Sequence, residues 1–329
     1  MERIGVIGAG AWGTALAASA ARAGRQVVLW AREQAVADSI NADHRNPHYL
    51  PDQHLPENLV ATCDAARALD ADAVLLVVPS QFLRGICDTF RPLWRGGLPA
   101  VICAKGIEQQ THLLMSEAVA EALPQAPLAI LSGPTFAAEV ARDLPSAVTL
   151  ACADLDLGGR LVEALGTTTF RPYLSDDVIG AQMGGAVKNV LAIASGIVEG
   201  RGLGDNARAA LVTRGLAEIT RLAVAKGARP ETLMGLSGLG DLILTANSQQ
   251  SRNYSLGYQL GQGRSLDDIL NERRSVTEGV YTASSVLGLA ARLGVEMPIC
   301  AAVNAVLHQG ADLGETIAAL LSRPFKQEC

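Results

Sequence analysis

Residues 4–16 read IGVIGAGAWGTAL, and this stretch sets the fold prediction for the first half of the chain. A short apolar run leads directly into Gly8, Gly10 and Gly13, which are spaced as G-x-G-x-x-G. The segment TALAASAARAG follows with the composition of a helix, and Gly24 is placed to end it. A glycine-rich turn between a buried strand and a helix predicts the first unit of a doubly wound α/β sheet.

Each of the three glycines has a physical role in such a turn. Gly8 permits the tight bend, Gly10 lets the backbone approach a pyrophosphate, and Gly13 lets the helix pack close to the strand. The unpaired N–H groups and the positive dipole at the helix N-terminus favour a phosphate. The motif therefore predicts a dinucleotide site with Trp12 lying along the cofactor. A glycine-rich turn without a ligand is the alternative that the motif alone leaves open.

Strand and helix signals divide the chain into two parts. The predicted strands are residues 3–8, 26–31, 73–79, 100–105, 128–133 and 146–152, with 170–175 as a candidate edge strand. The first four are nearly continuous apolar runs, which is typical of parallel strands covered by helices on both faces. From about residue 178 only helical periodicity remains. We predict a Rossmann-type, doubly wound, mostly parallel sheet domain at 1–180 and an all-helical domain at 181–329.

Composition narrows the function classes. The chain has 329 residues, of which 49% are hydrophobic and 18% charged, so it can bury a large core and is not disordered. Its net charge of -6 provides no basic field for nucleic acid, so a local cluster must hold any anionic ligand. We find no signal-peptide pattern and no apolar run approaching the roughly 20 residues of a membrane span. We therefore expect a cytoplasmic protein without a membrane span.

Cysteines and histidines carry no metal signal in this sequence. The six cysteines form no CxxC pair, and the five histidines lack metal-ligand spacing. Most cysteines stand in apolar runs, which predicts buried, reduced thiols. The sequence predicts no metal site, and no Ser/His/Asp order accompanies a nucleophile elbow.

The residues at the end of the second predicted strand indicate whether the cofactor is NADH or NADPH. An NAD-specific site usually places an acidic residue there for the ribose hydroxyl, but the first charged residue here is Arg32. Arg32 can pair with a 2′-phosphate, so we predict NADPH, while the neighbouring Glu33 keeps NADH open. A solvated arginine at a helix start is the alternative. The histidine-containing segment 41–56 is predicted to fold over the adenine, with Tyr49 as its contact.

Lys188 is the strongest catalytic candidate. It stands in QMGGAVKNVLAIASG, a helical segment that is otherwise uncharged. Burying an ammonium group in an apolar helix is costly unless the group is paired or functional. Desolvation lowers the pKa of a lysine toward neutrality, which suits proton transfer to a carbonyl or an alcohol. A lysine that extends from a helix end to solvent is the alternative.

Further polar groups stand at predicted strand ends and glycine turns. Lys105 ends the fourth strand, where the crevice of a doubly wound sheet lies, and SGPTFAAE at 132–139 offers free backbone N–H groups. Asp241, on a glycine turn, could orient Lys188 or cap a helix. The run Ser251–Asn253 combines a hydroxyl, a guanidinium and an amide, which suits a phosphate. Glu278 could contact a cofactor hydroxyl or cap a helix.

Eight segments together resemble one known family. They are GAGAWGTALA, AKGIE, SGPTFAAE, GGAVKNV, GLGDLILT, QSRN, VTEGV and GVEMPI. In order and spacing, nearly all 329 residues resemble the bacterial NAD(P)-dependent glycerol-3-phosphate dehydrogenases. The resemblance implies a 6-phosphogluconate-dehydrogenase-like fold and reduction of dihydroxyacetone phosphate to sn-glycerol 3-phosphate by NADPH or NADH, for phospholipid biosynthesis. It also implies a homodimer.

The resemblance also assigns roles to residues. Besides the three glycines, it implies cofactor contacts from Ala11, Trp12, Arg32, Lys105, Ala137, Arg252, Val276 and Glu278. It implies substrate contacts from Lys105, Gly133, Thr135, Lys188, Asp241, Ser251, Arg252 and Asn253. Lys188 becomes the proton donor and acceptor. Many family members carry serine at the position of Ala11, whose backbone N–H can still serve. A dehydrogenase of similar build acting on a carboxylated substrate, and a non-catalytic dinucleotide sensor, are the rival hypotheses.

Overall fold

The computed structural model describes residues 1–273 and 276–324, so the last five residues of the predicted helical domain lie outside it. The strands are β1 (Arg3–Ile7), β2 (Gln26–Trp30), β3 (Arg45–Asn46), β4 (Leu50–His54), β5 (Leu59–Thr62), β6 (Ala73–Leu76), β7 (Ala100–Ile102), β8 (Leu128–Ser132), β9 (Ser146–Cys152) and β10 (Phe170–Ser175).

Helices separate most of these strands and predominate among the described residues after Ser175. They are α1 (Ala11–Arg22), α2 (Gln34–Asp43), α3 (Ala65–Leu69), α4 (Leu83–Phe90), α5 (Met115–Ala122), α6 (Ala137–Ala141), α7 (Leu155–Leu165), α8 (Val178–Gly200), α9 (Asp205–Lys226), α10 (Pro230–Leu233), α11 (Asp241–Ala246), α12 (Arg252–Gly261), α13 (Leu266–Asn271), α14 (Glu278–Leu293), α15 (Pro298–His308) and α16 (Leu313–Leu321).

Eight strands form one sheet in the order β10-β9-β8-β7-β6-β1-β2-β5. All neighbours are parallel except β8 and β9. The chain builds outward from β1 in one direction and returns to build from β6 in the other. A doubly wound sheet opens a ligand crevice at such a reversal, beyond the carboxyl ends of the strands. The predicted mostly parallel α/β sheet is confirmed, and its crevice lies beyond Ile7 and Leu76, which are register partners.

Three strands escaped the sequence prediction, and two predicted strands are too long. Strand β5 completes the sheet beside β2, and β3 pairs with β4 in a separate antiparallel hairpin within the segment predicted to be a loop. Strand β6 ends at Leu76 and β7 at Ile102. Their apolar runs continue because the chain stays buried as it leaves the sheet. Lys105 therefore follows β7 in a loop and does not end a strand.

The helical C-terminal domain is built around α8, whose side chains are buried along nearly its whole length. By length and composition, α8 is one helix that could cross a membrane, so the statement that no apolar run approaches that length was wrong. However, 89% of its most apolar stretch is buried against other parts of the protein, as in a core helix. The last strand ends at Ser175 and α8 begins at Val178; the domain division at residue 180 stays a prediction.

Glycines allow α12 to cross α8 at very short range. A Cβ atom on Gly196 of α8 would overlap the carbonyl oxygen of Tyr254, and one on Gly257 of α12 would overlap that of Ile193. The backbones therefore touch where each helix lacks a side chain. This contact fixes the first turn of α12, which begins at Arg252, relative to α8, which carries Lys188.

Candidate active site

The turn between β1 and α1 forms the floor of the crevice. Gly8 has a φ of +113°, and a Cβ there would lie 2.7 Å from the carbonyl oxygen of Val77. A Cβ on Gly13 would overlap the carbonyl oxygen of Gly8, whereas one on Gly10 would meet no atom within 4 Å among the described residues. Gly10 is the N-cap of α1, and no described side chain caps that helix start. Backbone N–H groups beside open space suit a phosphate.

Side chains predicted to contact the nucleotide lie around this turn. Trp12 is half-buried against the core beneath α1, and its indole nitrogen has no hydrogen-bond partner within the described residues. Ala11 and Ala137 begin α1 and α6, which pack against each other. Arg32 is exposed, and its Nε and Nη2 lie 2.9 and 2.6 Å from Oε1 of Glu33. That hydrogen bond raises the pKa of Arg32.

Lys188, Asp241 and Lys105 meet in one cluster at the other side of the crevice. The Nζ atom of Lys188 lies 2.5 Å from Oδ1 of Asp241, and Nζ of Lys105 lies 2.7 Å from Oδ2. The Asp241 side chain is fully buried, and those of Lys188 and Lys105 are 7% and 17% exposed. The prediction that Asp241 orients Lys188 agrees with this geometry.

Two neighbouring glycines on α8 bring the cluster together. A Cβ on Gly184 of α8 would overlap the carbonyl oxygen of Ser237, in the π-turn (Leu236–Gly240) that leads into Asp241. A Cβ on Gly185 would lie 3.5 Å from the methylene stem of Lys105 and 2.5 Å from Oγ of Ser132. The Gly184–Gly185 pair thus makes room on α8 for both partners of the site, one turn before Lys188.

Burial dominates the electrostatics of this cluster. Desolvation lowers the pKa of Lys188 to about 7, against the attraction of Asp241, while the positive charge of Lys105 lowers it further. A lysine with a pKa near neutrality can give up or take a proton at physiological pH. If both lysines are protonated, one carboxylate between two ammonium groups leaves a net positive charge facing the crevice. That charge can stabilise an oxygen that becomes negative during a reaction.

The loop after β8 lies beside Lys105. Nζ of Lys105 donates to the carbonyl oxygen of Gly133 at 3.0 Å, and the Thr135 hydroxyl donates to the same oxygen at 3.3 Å. A Cβ on Gly133 would lie 2.8 Å from Cα of Val148, so only glycine fits there. The structure therefore places Gly133 and Thr135 beside Lys105, and their contact with substrate stays a prediction.

The predicted phosphate-binding run at the start of α12 is partly engaged in the fold. Ser251 is the N-cap of α12 and accepts from the Tyr254 N–H at 3.2 Å. Asn253 donates to Oδ1 of Asn189 at 3.0 Å and accepts from the Gly279 N–H at 2.9 Å. Arg252 keeps exposed surface, yet enough protein surrounds it that desolvation lowers its pKa, opposed by Glu278. Of the three residues, Arg252 is exposed, whereas Ser251 and Asn253 are buried.

Glu278 joins the helical domain to the sheet. The carboxylate accepts from the backbone N–H of Ser80 at 3.0 Å and from its hydroxyl at 2.5 Å. Desolvation raises the pKa of Glu278, and the bonds from Ser80 and the charge of Arg252 oppose that effect. Ser80 lies just beyond β6 at the crevice, so Glu278 reaches across it. Val276 is half-buried in the segment before α14.

Two family models match this chain. The family model for the NAD-dependent glycerol-3-phosphate dehydrogenase N-terminus matches residues 3–157, and the model for its C-terminus matches residues 177–318. A protein named glycerol-3-phosphate dehydrogenase [NAD(P)+] from Rhodospirillum rubrum is 64% identical over all of this chain and 94% of its own length. The chain belongs to the NAD-dependent glycerol-3-phosphate dehydrogenase family.

Two further relatives support this membership. A glycerol-3-phosphate dehydrogenase [NAD(P)+] from Parvibaculum lavamentivorans is 58% identical over 99% of this chain and 98% of its own. The crystal structure of glycerol-3-phosphate dehydrogenase from Coxiella burnetii superposes with a TM-score of 0.94 at 41% identity, over 98% of this chain and 99% of that one. The family resemblance inferred from the eight sequence motifs is confirmed.

Three polar residues of the candidate active site were not predicted from the sequence. The Thr245 hydroxyl accepts from Nζ of Lys188 at 2.7 Å, and Asn189 and Ser80 hold Asn253 and Glu278. Thr245 lies four residues after Asp241 on α11, the spacing that places two side chains on one helix face. That spacing is the signal that could have identified Thr245. For Ser80 the only signal was its place after an apolar strand.

The candidate metal ligands and the cysteines were also located in the structure. Within residues 1–273 and 276–324, no group of three His, Cys, Asp or Glu side chains is placed to hold a metal ion. Cys87, Cys103, Cys152 and Cys300 are free and buried, and Cys63 is half-buried. Desolvation raises the pKa of the Cys87 thiol to about 12, which makes it unreactive. The sixth cysteine, Cys329, lies outside the described residues.

Proposed function

We propose that this chain reduces dihydroxyacetone phosphate to sn-glycerol 3-phosphate with NADPH or NADH, a step that supplies glycerophospholipid biosynthesis. The observation that carries the proposal is the buried Lys188–Asp241–Lys105 cluster, in which Lys105 follows β7 at the same edge of the parallel sheet as the turn that follows β1. A ketone reduction needs a proton donor and a positive charge beside the oxygen, and this cluster has both.

The residues at the turn fit a nicotinamide dinucleotide. Gly8–Gly13 offer backbone N–H groups and open space above Gly10 for the pyrophosphate. We assign Arg32 to a 2′-phosphate, and Ala11, Trp12 and Ala137 to contacts with the nucleotide. Lys105, Arg252, Val276 and Glu278 complete the proposed cofactor site from the other side of the crevice. The bound cofactor supplies the hydride.

In the proposed mechanism Lys188 handles the proton. Its ammonium group donates a proton to the substrate oxygen as negative charge develops there, and its neutral form takes the proton back in the reverse direction. Asp241 holds the ammonium group in place, and Thr245 accepts a second hydrogen bond from the same Nζ. Lys105 adds a positive charge that stabilises the same oxygen.

The substrate phosphate is assigned to the start of α12. Arg252 supplies a fixed positive charge, which binds phosphate oxygens strongly. Asn253 has one amide hydrogen left beyond its bond to Asn189, so it can donate to the phosphate while it stays anchored. Ser251 contributes as the residue that caps α12 and so sets the position of Arg252. Gly133 and Thr135 line the substrate beside Lys105.

A substrate assay with both cofactors tests the proposal. Oxidation of NADPH and of NADH is followed with dihydroxyacetone phosphate and separately with a β-keto acid, and reduction of NADP+ and of NAD+ is followed with 6-phosphogluconate. The proposal expects turnover with the phosphorylated ketone alone. Preference for a carboxylated substrate would assign the chain to another dehydrogenase activity, and absence of turnover with any of them would favour a dinucleotide sensor. The homodimer, the cytoplasmic location and the domain division at residue 180 stay predictions.

A further inference from the structure

A buried asparagine connects the β3–β4 hairpin to the phosphate-binding turn. Asn46 is fully buried, and its Nδ2 donates to the carbonyl oxygen of Ala9 at 2.9 Å and to the Thr14 hydroxyl at 2.8 Å. Its Oδ1 accepts from the backbone N–H of Tyr49 at 3.2 Å. A carbonyl can only accept and an N–H can only donate, so these partners fix which way the amide faces.

The hairpin itself is firmly anchored. Leu50 and Leu55 are buried in the core that also contains the α1 side chains. The Leu55 N–H donates to the carbonyl oxygen of His44 at 2.8 Å, which closes the base of the hairpin. Asn46 therefore projects from a fixed support, and its two donated bonds hold Ala9 and Thr14 at a set position.

Ala9 lies between Gly8 and Gly10, so its carbonyl controls the shape of the turn. The peptide bond is planar and trans, and the carbonyl of one residue points opposite to the N–H of the next. When Asn46 holds the Ala9 carbonyl, it also fixes the Gly10 N–H in the opposite direction, away from the hairpin. Glycine at both neighbouring positions makes this peptide easy to rotate unless another group restrains it.

We propose that Asn46 is a positioning residue for cofactor binding, which sets the phosphate-binding turn through Ala9 and Thr14 and makes the β3–β4 hairpin part of the cofactor site. The inference rests on the proposed function for its ligand, a nicotinamide dinucleotide. The pyrophosphate is common to NADPH and NADH. Loss of the bonds that Asn46 donates should therefore weaken the binding of both cofactors by the same factor. A change at the 2′ position would affect the binding of NADPH and NADH differently.

The test measures Kd of NADPH and of NADH by calorimetry for the wild type, Asn46→Ala and Thr14→Val. Asn46→Ala removes both donated bonds. Thr14→Val keeps the side-chain shape but removes the hydroxyl that accepts from Asn46 and donates to the Ala9 carbonyl oxygen at 3.3 Å. We expect both Kd values to rise by about fivefold or more for each variant, since one hydrogen bond contributes about 1 kcal/mol. Thr14→Ser keeps the hydroxyl and should restore most of the affinity.

Asn58→Ala is the control. Asn58 lies outside the segment 41–56, and its Nδ2 donates to the carbonyl oxygen of Ala21 at 3.3 Å, near the end of α1 that is remote from the turn. This variant should keep both Kd values. Unchanged Kd values in folded Asn46→Ala and Thr14→Val would overturn the proposal, as would a change for NADPH alone or an equal change in Asn58→Ala. Because Kd needs no substrate, turnover of the wild type with dihydroxyacetone phosphate tests the proposed function separately.

Discussion

The ammonium group of Lys188 and the carboxylate of Asp241 form a buried ion pair, with Nζ 2.5 Å from Oδ1. The second oxygen of the carboxylate is already bonded to Lys105, so Asp241 balances only one of two positive charges. Breaking a buried pair by removing one partner is strongly unfavourable. The positions of both lysines therefore depend on Asp241.

Asp241→Asn should lower kcat by about 10²-fold or more, because general acid–base catalysis contributes about 10²–10⁴-fold and the proton donor loses its counter-charge. The attraction of Asp241 raises the pKa of Lys188, so its loss lowers that pKa further. The decline of the reduction rate should then move to lower pH. Asp205→Asn, at an exposed carboxylate paired with Arg208, is the control and should keep the wild-type profile. An unshifted profile in Asp241→Asn would contradict the proposed pairing.

The two directions of the reaction should depend on pH in opposite ways. Burial lowers the pKa of Lys188 to about 7, so the protonated fraction falls as pH rises through that value. Reduction needs the protonated form, and its kcat/KM should decline above about pH 7. Oxidation needs the neutral form, and its kcat/KM should rise over the same range. Initial rates in both directions check this, and parallel profiles would exclude Lys188 as the titrating group.

Arg32 and Glu33 should set the cofactor preference together. Arg32→Ala should raise KM for NADPH by about tenfold, because charge-assisted bonds to phosphate are strong, and leave KM for NADH nearly unchanged. Glu33→Gln releases Arg32 from its ion pair and removes an acceptor for a ribose hydroxyl. It should therefore lower KM for NADPH and raise KM for NADH. Equal changes for both cofactors would show that neither side chain reads the 2′ position.

Close contact between α8 and α12 predicts a stability effect. Gly257→Ala places a methyl group on the Ile193 carbonyl and should lower the free energy of unfolding by about 1–3 kcal/mol. Gly85→Ala, in α4, meets no described atom within 4 Å and should raise it by about 0.5–1 kcal/mol. Urea unfolding measures both. Equal changes in the free energy of unfolding for the two variants would mean that α8 and α12 can move apart without an energetic cost.

The local sequence predicted the strands formed by apolar runs and the turns beside them, but not the residues at which strand pairing ends. The β1 turn and the parallel core strands follow from continuous apolar runs and the three glycines. The apolar run 73–79 predicts one strand, but strand pairing stops at Leu76. Apolar residues indicate that a segment is buried and do not indicate where its hydrogen bonds to a neighbouring strand end. Hairpin β3–β4 lies in a polar segment and depends on contacts such as that of Asn46 with Ala9, which are distant in sequence.

The site was predictable where a residue type conflicted with its surroundings. A lysine in an apolar helix identified Lys188, and a carboxylate on a glycine turn suggested Asp241 as its partner. Thr245 could have been found only from its spacing of four residues after Asp241, and no feature of the local sequence indicated Asn189. Glu278 bonds to Ser80, which is 198 residues away in the chain. Only the tertiary fold could show that this residue spans the crevice.

The most direct test of the account is the kcat of Lys188→Met for reduction of dihydroxyacetone phosphate at saturating NADPH. Methionine keeps an unbranched side chain, one heavy atom shorter, within the apolar helix and removes the proton donor. Kd for NADPH and the unfolding midpoint confirm an intact protein. We predict a fall of about 10²–10⁴-fold in kcat with Kd for NADPH unchanged. A kcat within about threefold of the wild type would contradict the assignment of Lys188 as the proton donor, since general acid catalysis contributes far more.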